Sequence, residues 1–577
     1  MGTAKIKGGQ TKTRRDRSQK QKKTRRRCQT RVSEGHSKRR KRKPNKKLYY
    51  AKSRYSLKRL NKLLNNIEVS ISLPEDGVAF PKPEKRMYSY YEFRPHKIKI
   101  TKEGHLKGGL LTFVFAWIDW SFLRELVASH YRDTMEGGWL WDPVSLMLLD
   151  LLRVLLHRDG RTDLLDEMRD ETPLGRQIAQ YVGIDLEQPR HPDHVVPTEM
   201  AFTHLRQRIG ATVYEGMMQV VVGFLRQLQI ISFEVLAFDS MLVDTWAVFN
   251  GCKEAGQAGH RCQSCDLFEE CQRVPFDLEA GVGHRVNPDN PKDVTPVFSH
   301  KVHTAVSFEV RLGMELPVAL LVSHGGAYDG HFFETLLEQI EGYQVGVKAV
   351  FHLADGHYDD FVNYLAARQR GVKPLFRYNP RNEKIDQASL KERGYNEVGW
   401  PYAPCGLTMT PNGYDEKEMR LTFVCKKQCP AAQEACPYQD NTLGHVKSIK
   451  VEPNSRLVLE IPRGTQRYKI IFALRSSVER NNDYLADNGL RRPKYHGQHN
   501  MHLNALLSAT ATLLRKFYAL IVEATEQEAH PERYSLVDLH DIPLEQAIRW
   551  RWKYFRDEDE PYSQRAPPDE PLASLAI

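Results

Sequence analysis

The chain is organised around one stretch, Ile470-Ile-Phe-Ala-Leu-Arg-Ser-Ser-Val-Glu-Arg480. It predicts a helix that follows an apolar, strand-like run and that ends near Gly489, where a basic segment begins. On a helix, Arg475 and Glu479 are four residues apart and lie on the same face. A carboxylate flanked by arginines is costly to bury but suits a place beside a phosphate. The question is whether the chain supplies two more carboxylates that could share a metal ion with Glu479.

Two aspartates elsewhere in the chain follow apolar runs. Asp239 ends the run that begins at Phe233, and Asp355 follows the run that begins at Val350. If these runs are neighbouring strands, the two carboxylates meet at one edge of a sheet, and the later helix can bring Glu479 to them. An acid at the end of a buried strand needs a cation to offset its desolvation. Three carboxylates without a neutralising lysine favour Mg²⁺ or Mn²⁺, which prefer oxygen ligands.

The region after residue 231 predicts an α/β fold. The Asp239 run and two further apolar runs, His300–Phe308 and Glu315–Ser323, form a meander with a turn near Gly313. Helices and strands then alternate over Gly330–Ile340, Val347–Leu353, Asp359–Arg370 and Val372–Tyr378. This order predicts a mixed sheet with helices on its faces.

The region before the sheet, residues 61–230, predicts a mostly helical DNA-binding domain. Asp142-Pro143 is a strong helix start, because Asp is a favourable N-cap and Pro suits the first helical position. The helices are expected over Val144–Leu156, Leu164–Met168 and Thr198–Ile209. Short helices of this kind fit a helix-turn-helix DNA reader or a plain helical bundle.

Positive charge is concentrated at the N-terminus. Residues 1–47 carry 21 Lys and Arg against two acids, a net charge of +19, whereas the whole chain of 577 residues carries +12. An arginine-rich arm, predicted to be disordered over residues 1–60, favours a polyanionic partner because binding releases counterions. A solvated tail is the alternative. No uncharged apolar run reaches the ~18 residues needed to cross a bilayer, so we expect a cytoplasmic, nucleoid-associated protein with no membrane partner.

Eight of the nine cysteines fall into two groups of four. The spacings are C-x9-C-x2-C-x5-C and C-x19-C-x3-C-x6-C, and the members are Cys252, Cys262, Cys265 and Cys271, then Cys405, Cys425, Cys429 and Cys436. Such clusters in a reducing cytosol predict structural Zn²⁺. His260 or His284 could replace a cysteine, and an iron–sulfur cluster is the lesser alternative. Cys28 is left over.

Taken together, these segments resemble the DDE transposases of bacterial insertion sequences, which have a ribonuclease H-like catalytic core. The resemblance spans roughly residues 140–515. The matching pieces are Phe238–Ser240, His300–His303, Val322–Asp329, Ala354–Asp359, Arg475–Arg480 and Gly489–Gly497. It implies a ribonuclease H-like core over 231–515 with insertions at about 250–295 and 380–470, followed by a C-terminal tail over 516–577.

The resemblance also implies roles for particular residues. Asp239, Asp355 and Glu479 would be the metal-binding catalytic triad, with Asp244 and Asp359 as competitors for the two aspartate positions. The residues expected to contact DNA are Arg475, Arg480, Lys301, Arg491 and Arg492. Relatives often carry Tyr three residues before this first arginine and Lys seven residues after the glutamate. This chain has Phe472 and Ala486 there, so Arg480, Arg491 or Arg492 would replace the lysine.

The expected activity is Mg²⁺-dependent transposition. The protein would bind the terminal inverted repeats of its element as a homodimer on DNA, nick them by hydrolysis and join the 3′ hydroxyl to target DNA. Two alternatives remain at this point. One is a ribonuclease H-like nuclease that only hydrolyses, and the other is a zinc-containing DNA-binding regulator whose catalytic core is inactive.

Overall fold

A computed structural model describes residues 50–53, 55–66, 109–130, 141–158, 160–187, 194–247, 265–266, 276–287, 290–379, 387–425, 436–438, 440–451, 456–491 and 493–555. Apart from Tyr50, these residues belong to one unit, Ala51–Ile577. Of the basic arm predicted over 1–60, residues 1–49 and 54 lie outside this description. The end of the arm forms strand β1, Tyr50–Ser53, and the start of helix α1, Leu57–Asn66.

Between β1 and the central sheet, the described segments are mainly helical. After α1 the helices are α2 (Gly109–Thr112, continued by a π-helical turn over Phe113–Trp117), α3 (Phe122–Ala128), α4 (Pro143–Leu155), α5 (Thr162–Arg169), α6 (Pro173–Val182) and α7 (Glu199–Gln227). Helix α4 begins as predicted, because the Asp142 carboxylate accepts a hydrogen bond from the Val144 amide at 2.9 Å. Helix α7 continues far beyond Ile209, across a kink at Gly210, where φ is 66°.

Within the described residues, the central sheet has six strands. They are β2 (Val235–Asp244), β3 (Gly281–Asn287), β4 (Asn290–Glu309), β5 (Met314–His324), β6 (Phe351–Ala354) and β7 (Lys373–Phe376). The path through the sheet is β3-β4-β2-β6-β7, and β5 also pairs with β4. Strand β4 is antiparallel to its three partners, whereas β2, β6 and β7 run parallel. The predicted mixed α/β sheet with flanking helices is confirmed.

Seven helices are described after the strands of the central sheet begin. They are α8 (Phe333–Tyr343), α9 (Phe361–Gln369), α10 (Gln387–Glu392), α11 (Gln466–Phe472), α12 (Ser476–Leu485), α13 (Gln498–Ala529) and α14 (Leu544–Phe555). Four of them, α8, α9, α12 and α13, pack against the sheet. A 3₁₀ turn, Ala473–Arg475, joins α11 to α12. The stretch Ile470–Arg480 is therefore helical, as predicted, but α11 already begins at Gln466 and the 3₁₀ turn interrupts the helix. The reason for the earlier start lies upstream, where the Thr465 hydroxyl caps α11 by accepting from the Tyr468 amide at 3.2 Å.

The long helix α13 joins the helical region to the sheet. It packs against α4, α7 and β5, and its middle is buried in the main hydrophobic core, which also contains residues of α4 and β2. By length and composition α13 could cross a membrane, but 72% of its most apolar 18-residue window is buried inside the protein. Its residues also cross position 515, so the tail predicted over 516–577 begins within a core helix.

A small antiparallel sheet lies in the later insertion. Its strands are β8 (Thr410–Asp415), β9 (Arg420–Val424) and β10 (Val446–Lys450), in the order β10-β9-β8. A separate apolar cluster that includes Met409, Leu421 and Phe423 holds it together. Strand β11 (Tyr534–Val537) precedes α14 near the C-terminus.

Candidate active site

Asp239 and Asp355 lie side by side at one edge of the sheet. Strands β2 and β6 are parallel neighbours, and Phe238 is the register partner of Ala354. Asp239 and Asp355 are the next residues on the two chains. Residues Val235 to Phe238 and all of β6 are buried, so the strands are held firmly up to the point where the acids emerge. The sequence-based expectation that these two carboxylates meet agrees with this register.

The two acids differ in how their charge is stabilised. Burial, and then the negative charge of Asp355, raise the pKa of Asp239 to about 7, although a backbone hydrogen bond from Ser240 and the charge of Arg475 oppose this. For Asp355, burial also raises the pKa, but hydrogen bonds and positive charge from His357 outweigh it and leave the pKa below its usual value. Of the two carboxylates, Asp239 is therefore the one whose ionised form is destabilised.

Arg475 links Glu479 to this pair. Helix α12 packs against β2, β4 and β5. The Arg475 guanidinium lies 3.9 Å from Asp239 Oδ2 through Nη1, and its Nη2 donates to the Glu479 carboxylate. The side chain of Glu479 is 52% exposed, whereas that of Asp239 is 18% exposed. The structure thus brings all three predicted acids to one region, with an arginine between the first and the third.

The donor set can be compared with what a hard cation requires. Among the residues that the structure describes, no three His, Cys, Asp or Glu side chains are close enough together to hold one metal ion. Asp239 and Asp355 nonetheless present carboxylate oxygens at the same edge, and their repulsion is only partly offset. Such a pair fits Mg²⁺ or Mn²⁺, which bind through one or two carboxylates and keep several waters. Glu479 would join them by turning away from Arg475.

Three further side chains at this edge were not predicted as part of the acidic site. Asp329, at the start of a 3₁₀ turn, is buried and accepts a hydrogen bond from Lys301 Nζ at 2.9 Å. His357 Nδ1 lies 3.7 Å from Asp329 and 3.1 Å from Asp355 Oδ2. Hydrogen bonding to Asp355 raises the pKa of His357. Burial lowers the pKa of His303, which lies beside Asp329, to about 3, so this ring is neutral at pH 7.

The two competing aspartates are each paired with an arginine that is not part of this cluster. Asp244 pairs with Arg285 at 2.7 Å near the surface. Asp359 is buried and bound by Arg456 at 2.6 Å and by the Tyr364 hydroxyl at 2.9 Å. Both carboxylates already have cationic partners, so they serve local structure.

The residues predicted to contact DNA fall into different settings. Lys301 is directed inward, because its ammonium donates to Asp329 and to the Ala327 carbonyl at 2.7 Å. Arg480, on α12, donates to the Ser476 hydroxyl at 3.1 Å and remains half exposed. Arg491 pairs with Asp487 and is largely exposed. Arg492 lies outside the described residues.

Four of the eight grouped cysteines lie within the described residues. Cys265 stands alone from the first group, because Cys252, Cys262 and Cys271 fall outside the described segments. From the second group Cys405 is exposed, Cys425 and Cys436 are half-buried, and Cys429 falls outside. These four form no disulfide with one another. Structural zinc therefore stays a prediction from the spacing.

A buried ion network anchors the segment that follows α12. Asp150 on α4 accepts hydrogen bonds from Arg161 at 2.7 Å, from Arg206 at 2.9 Å and from the Tyr214 hydroxyl at 3.2 Å. Burial raises the pKa of Asp150, but the surrounding arginines outweigh burial and hold it well below its usual value. The ring of Tyr495 lies 5.0 Å from the Arg206 guanidinium. The helical region thus holds the chain in place beyond the Glu479 helix.

No protein-family model matches this chain, and no curated protein matches it either. The functional conclusion therefore depends on the residues themselves and on how the fold arranges them.

Proposed function

We propose that the protein is a Mg²⁺-dependent DDE transposase with a ribonuclease H-like catalytic core. The proposal depends on one arrangement of side chains. Asp239 and Asp355 lie next to each other where two parallel strands end or pass, and Arg475 contacts both Asp239 and Glu479, which is on α12. Three acids that are far apart in the chain meet at a sheet edge beside an arginine. This arrangement suits phosphodiester chemistry, which depends on positioning and charge neutralisation.

The sheet supports the ribonuclease H-like assignment. Strands β2, β4 and β5 form an antiparallel meander, and β6 and β7 then add in parallel on the other side of β2. In an α/β sheet, functional groups commonly collect at the carboxyl ends of parallel strands. Asp239 lies where β2 passes the end of β6, and Asp355 follows β6 directly.

Each residue of the site would have a distinct task. Asp239 and Asp355 would hold Mg²⁺, with Glu479 completing the ligand set. A bound pair of such ions supplies activation of the attacking hydroxyl and stabilisation of the leaving oxygen. Arg475 would grip the scissile phosphate, because its planar guanidinium donates two parallel hydrogen bonds to phosphate oxygens. Asp329, with Lys301 and His357, would fix the position of the Asp355 loop.

The other predicted features belong to the same proposal. The basic arm would strengthen binding to terminal inverted repeats and target DNA through counterion release. Arg480, Arg491 and Arg492 would contact the DNA backbone, and the two cysteine groups would hold structural Zn²⁺. The protein would act as a homodimer on DNA in the cytoplasm, associated with the nucleoid.

A strand-transfer assay with DNA that carries the element's ends tests the proposal. Joined products support a transposase, cleavage alone supports a nuclease, and binding alone supports a regulator with an inactive core. Glu479→Gln is expected to keep DNA binding and to abolish nicking. Asp244→Asn is the matched control for Asp239→Asn, because both residues lie on β2 but Asp244 pairs with Arg285 at the surface. Nicking by the Asp239→Asn protein at the wild-type rate would refute the assignment.

A further inference from the structure

We propose that Arg475 is an exchangeable counter-ion that neutralises Asp239 and Glu479 while DNA is absent and that leaves these acids when a divalent cation and a DNA phosphate enter. Metal binding and DNA binding would then be coupled through one side chain. The identity of the phosphate depends on the proposed function, whereas the competition between Arg475 and the metal does not.

The geometry places the Arg475 guanidinium between the two carboxylates. Its Nη1 is 3.9 Å from Asp239 Oδ2, and its Nη2 donates to Glu479. Two other positively charged side chains on neighbouring elements have different partners: Lys301 binds Asp329, and Arg480 binds Ser476 and lies 3.4 Å from Glu315. Arg475 therefore offsets the negative charge that Asp239 and Glu479 share.

A metal ion needs the same oxygens that Arg475 holds. A guanidinium has five N–H donors and no acceptor, so it cannot share a metal's coordination shell and is repelled by the cation. Glu479 lies one helical turn after Arg475, so a movement of the Arg475 side chain frees the Glu479 carboxylate to turn toward the metal. The side chain of Arg475 is 21% exposed, which leaves it a path toward solvent and toward an incoming strand.

A DNA phosphate gives the displaced guanidinium a new partner. Arginine binds phosphate through paired, charge-assisted hydrogen bonds, so the phosphate replaces the carboxylates that the metal has taken. The metal and the DNA would each favour the binding of the other. Because such coupling is reciprocal, the factor by which DNA tightens metal binding equals the factor by which the metal tightens DNA binding.

The competition predicts that removing Arg475 strengthens metal binding. Removing a purely structural arginine would not have this effect. The experiment is calorimetric titration of the full-length, DNA-free protein with Mn²⁺. Removing Arg475 should tighten Mn²⁺ binding, by about 5-fold or more if the coupling is of ordinary size. Arg475→Ala is the first variant, and Arg475→Gln keeps a hydrogen-bonding side chain without the charge in case the alanine variant folds poorly. Arg285→Ala, which removes the surface partner of Asp244 on the strand that carries Asp239, is the matched control and should leave the affinity unchanged.

The outcomes separate this inference from the proposed function. Tighter Mn²⁺ binding by either Arg475 variant, lost again when Asp239→Asn is added, supports the exchange. If wild type binds Mn²⁺ through Asp239 but both Arg475 variants bind it equally or more weakly, the exchange is wrong and the proposed function stands. If Asp239→Asn leaves Mn²⁺ binding intact, both are wrong. A second readout is the Mn²⁺ affinity with end DNA present, which should rise for wild type and stay flat for Arg475→Gln.

Discussion

Lys301 Nζ lies 2.9 Å from Asp329 Oδ1, so a lysine expected to contact DNA neutralises a buried acid at the edge of the central sheet. Strand β4 carries the lysine, and a loop after β5 carries the aspartate. The ion pair fixes the segment that carries Asp329. Asp329 also lies near His357, which contacts Asp355.

We predict that Lys301→Met destabilises the protein. The substitution keeps the length of the side chain but leaves Asp329 buried without its cation, which should lower the free energy of unfolding by about 3 kcal/mol. Urea denaturation measures the change. The double variant Lys301→Met, Asp329→Asn should recover part of the loss. A loss below about 1 kcal/mol, the size found for exposed pairs, would contradict the buried ion pair.

Asp239 predicts a pH-dependent stability in the absence of metal. Its pKa is raised to about 7 in the folded protein from an ordinary value of 3.8. Its contribution is therefore fully present below about pH 4 and is lost by the time the pH has risen through 7, because between these values the unfolded state ionises freely whereas the folded state keeps the proton. Asp239→Asn should gain stability relative to wild type between pH 4 and pH 8, by on the order of 4 kcal/mol. Urea denaturation in EDTA at pH 4, 6 and 8 checks this.

The control for this pH series is Asp244→Asn, which changes an acid on the same strand that pairs with Arg285. Its stability relative to wild type should not acquire a transition near pH 7. An Asp239→Asn difference that stays constant between pH 4 and pH 8 would show that the Asp239 carboxylate is not held at a raised pKa.

The Asp150 network predicts a large loss of stability when Asp150 is replaced. Asp150→Ala leaves Arg153, Arg161 and Arg206 buried around an absent carboxylate, and we expect the free energy of unfolding to fall by at least about 3 kcal/mol. The matched control is Asp166→Ala, which removes an exposed partner of Arg169 and should change stability by less than about 1 kcal/mol. Equal effects of the two substitutions would contradict the anchoring role of the network.

The second cysteine group predicts a metal requirement for the insertion that carries β8, β9 and β10. Elemental analysis of purified protein should find zinc, and Cys425→Ser should lower the zinc content by one ion per chain. Release of zinc by a chelator should expose the small apolar cluster around Phe423, which limited proteolysis would detect. Full zinc occupancy in the Cys425→Ser protein would exclude this thiol as a ligand.

Local patterns in the sequence were enough to predict the elements that carry the site. The apolar runs before Asp239 and Asp355 predict two strands, and the Asp142-Pro143 cap predicts the start of α4. Strand adjacency was the only further step needed to bring the two acids together, and the parallel β2–β6 register agrees with it.

Sequence patterns could not predict contacts between side chains that are distant in the chain. The inward turn of Lys301 depends on how β4 and β5 pair, and the neutralisation of Asp359 depends on Arg456, which lies 97 residues later. Asp329 follows a glycine-containing turn and has no local pattern that marks it as buried. The continuity of the helical region with the sheet arises from α13, whose apolar sides contact both at once.

The most direct test of the central claim, that Asp239, Asp355 and Glu479 share a divalent cation, is iron-mediated cleavage of the polypeptide. Fe²⁺ placed in a Mg²⁺ site with ascorbate and peroxide generates radicals that cut the backbone beside the ion, and mass spectrometry locates the cuts. We predict cuts near residues 239, 355 and 479 that excess Mg²⁺ suppresses and that Asp239→Asn abolishes. Cuts confined to other segments, or cuts at these positions that persist in Asp239→Asn, would contradict the shared metal site.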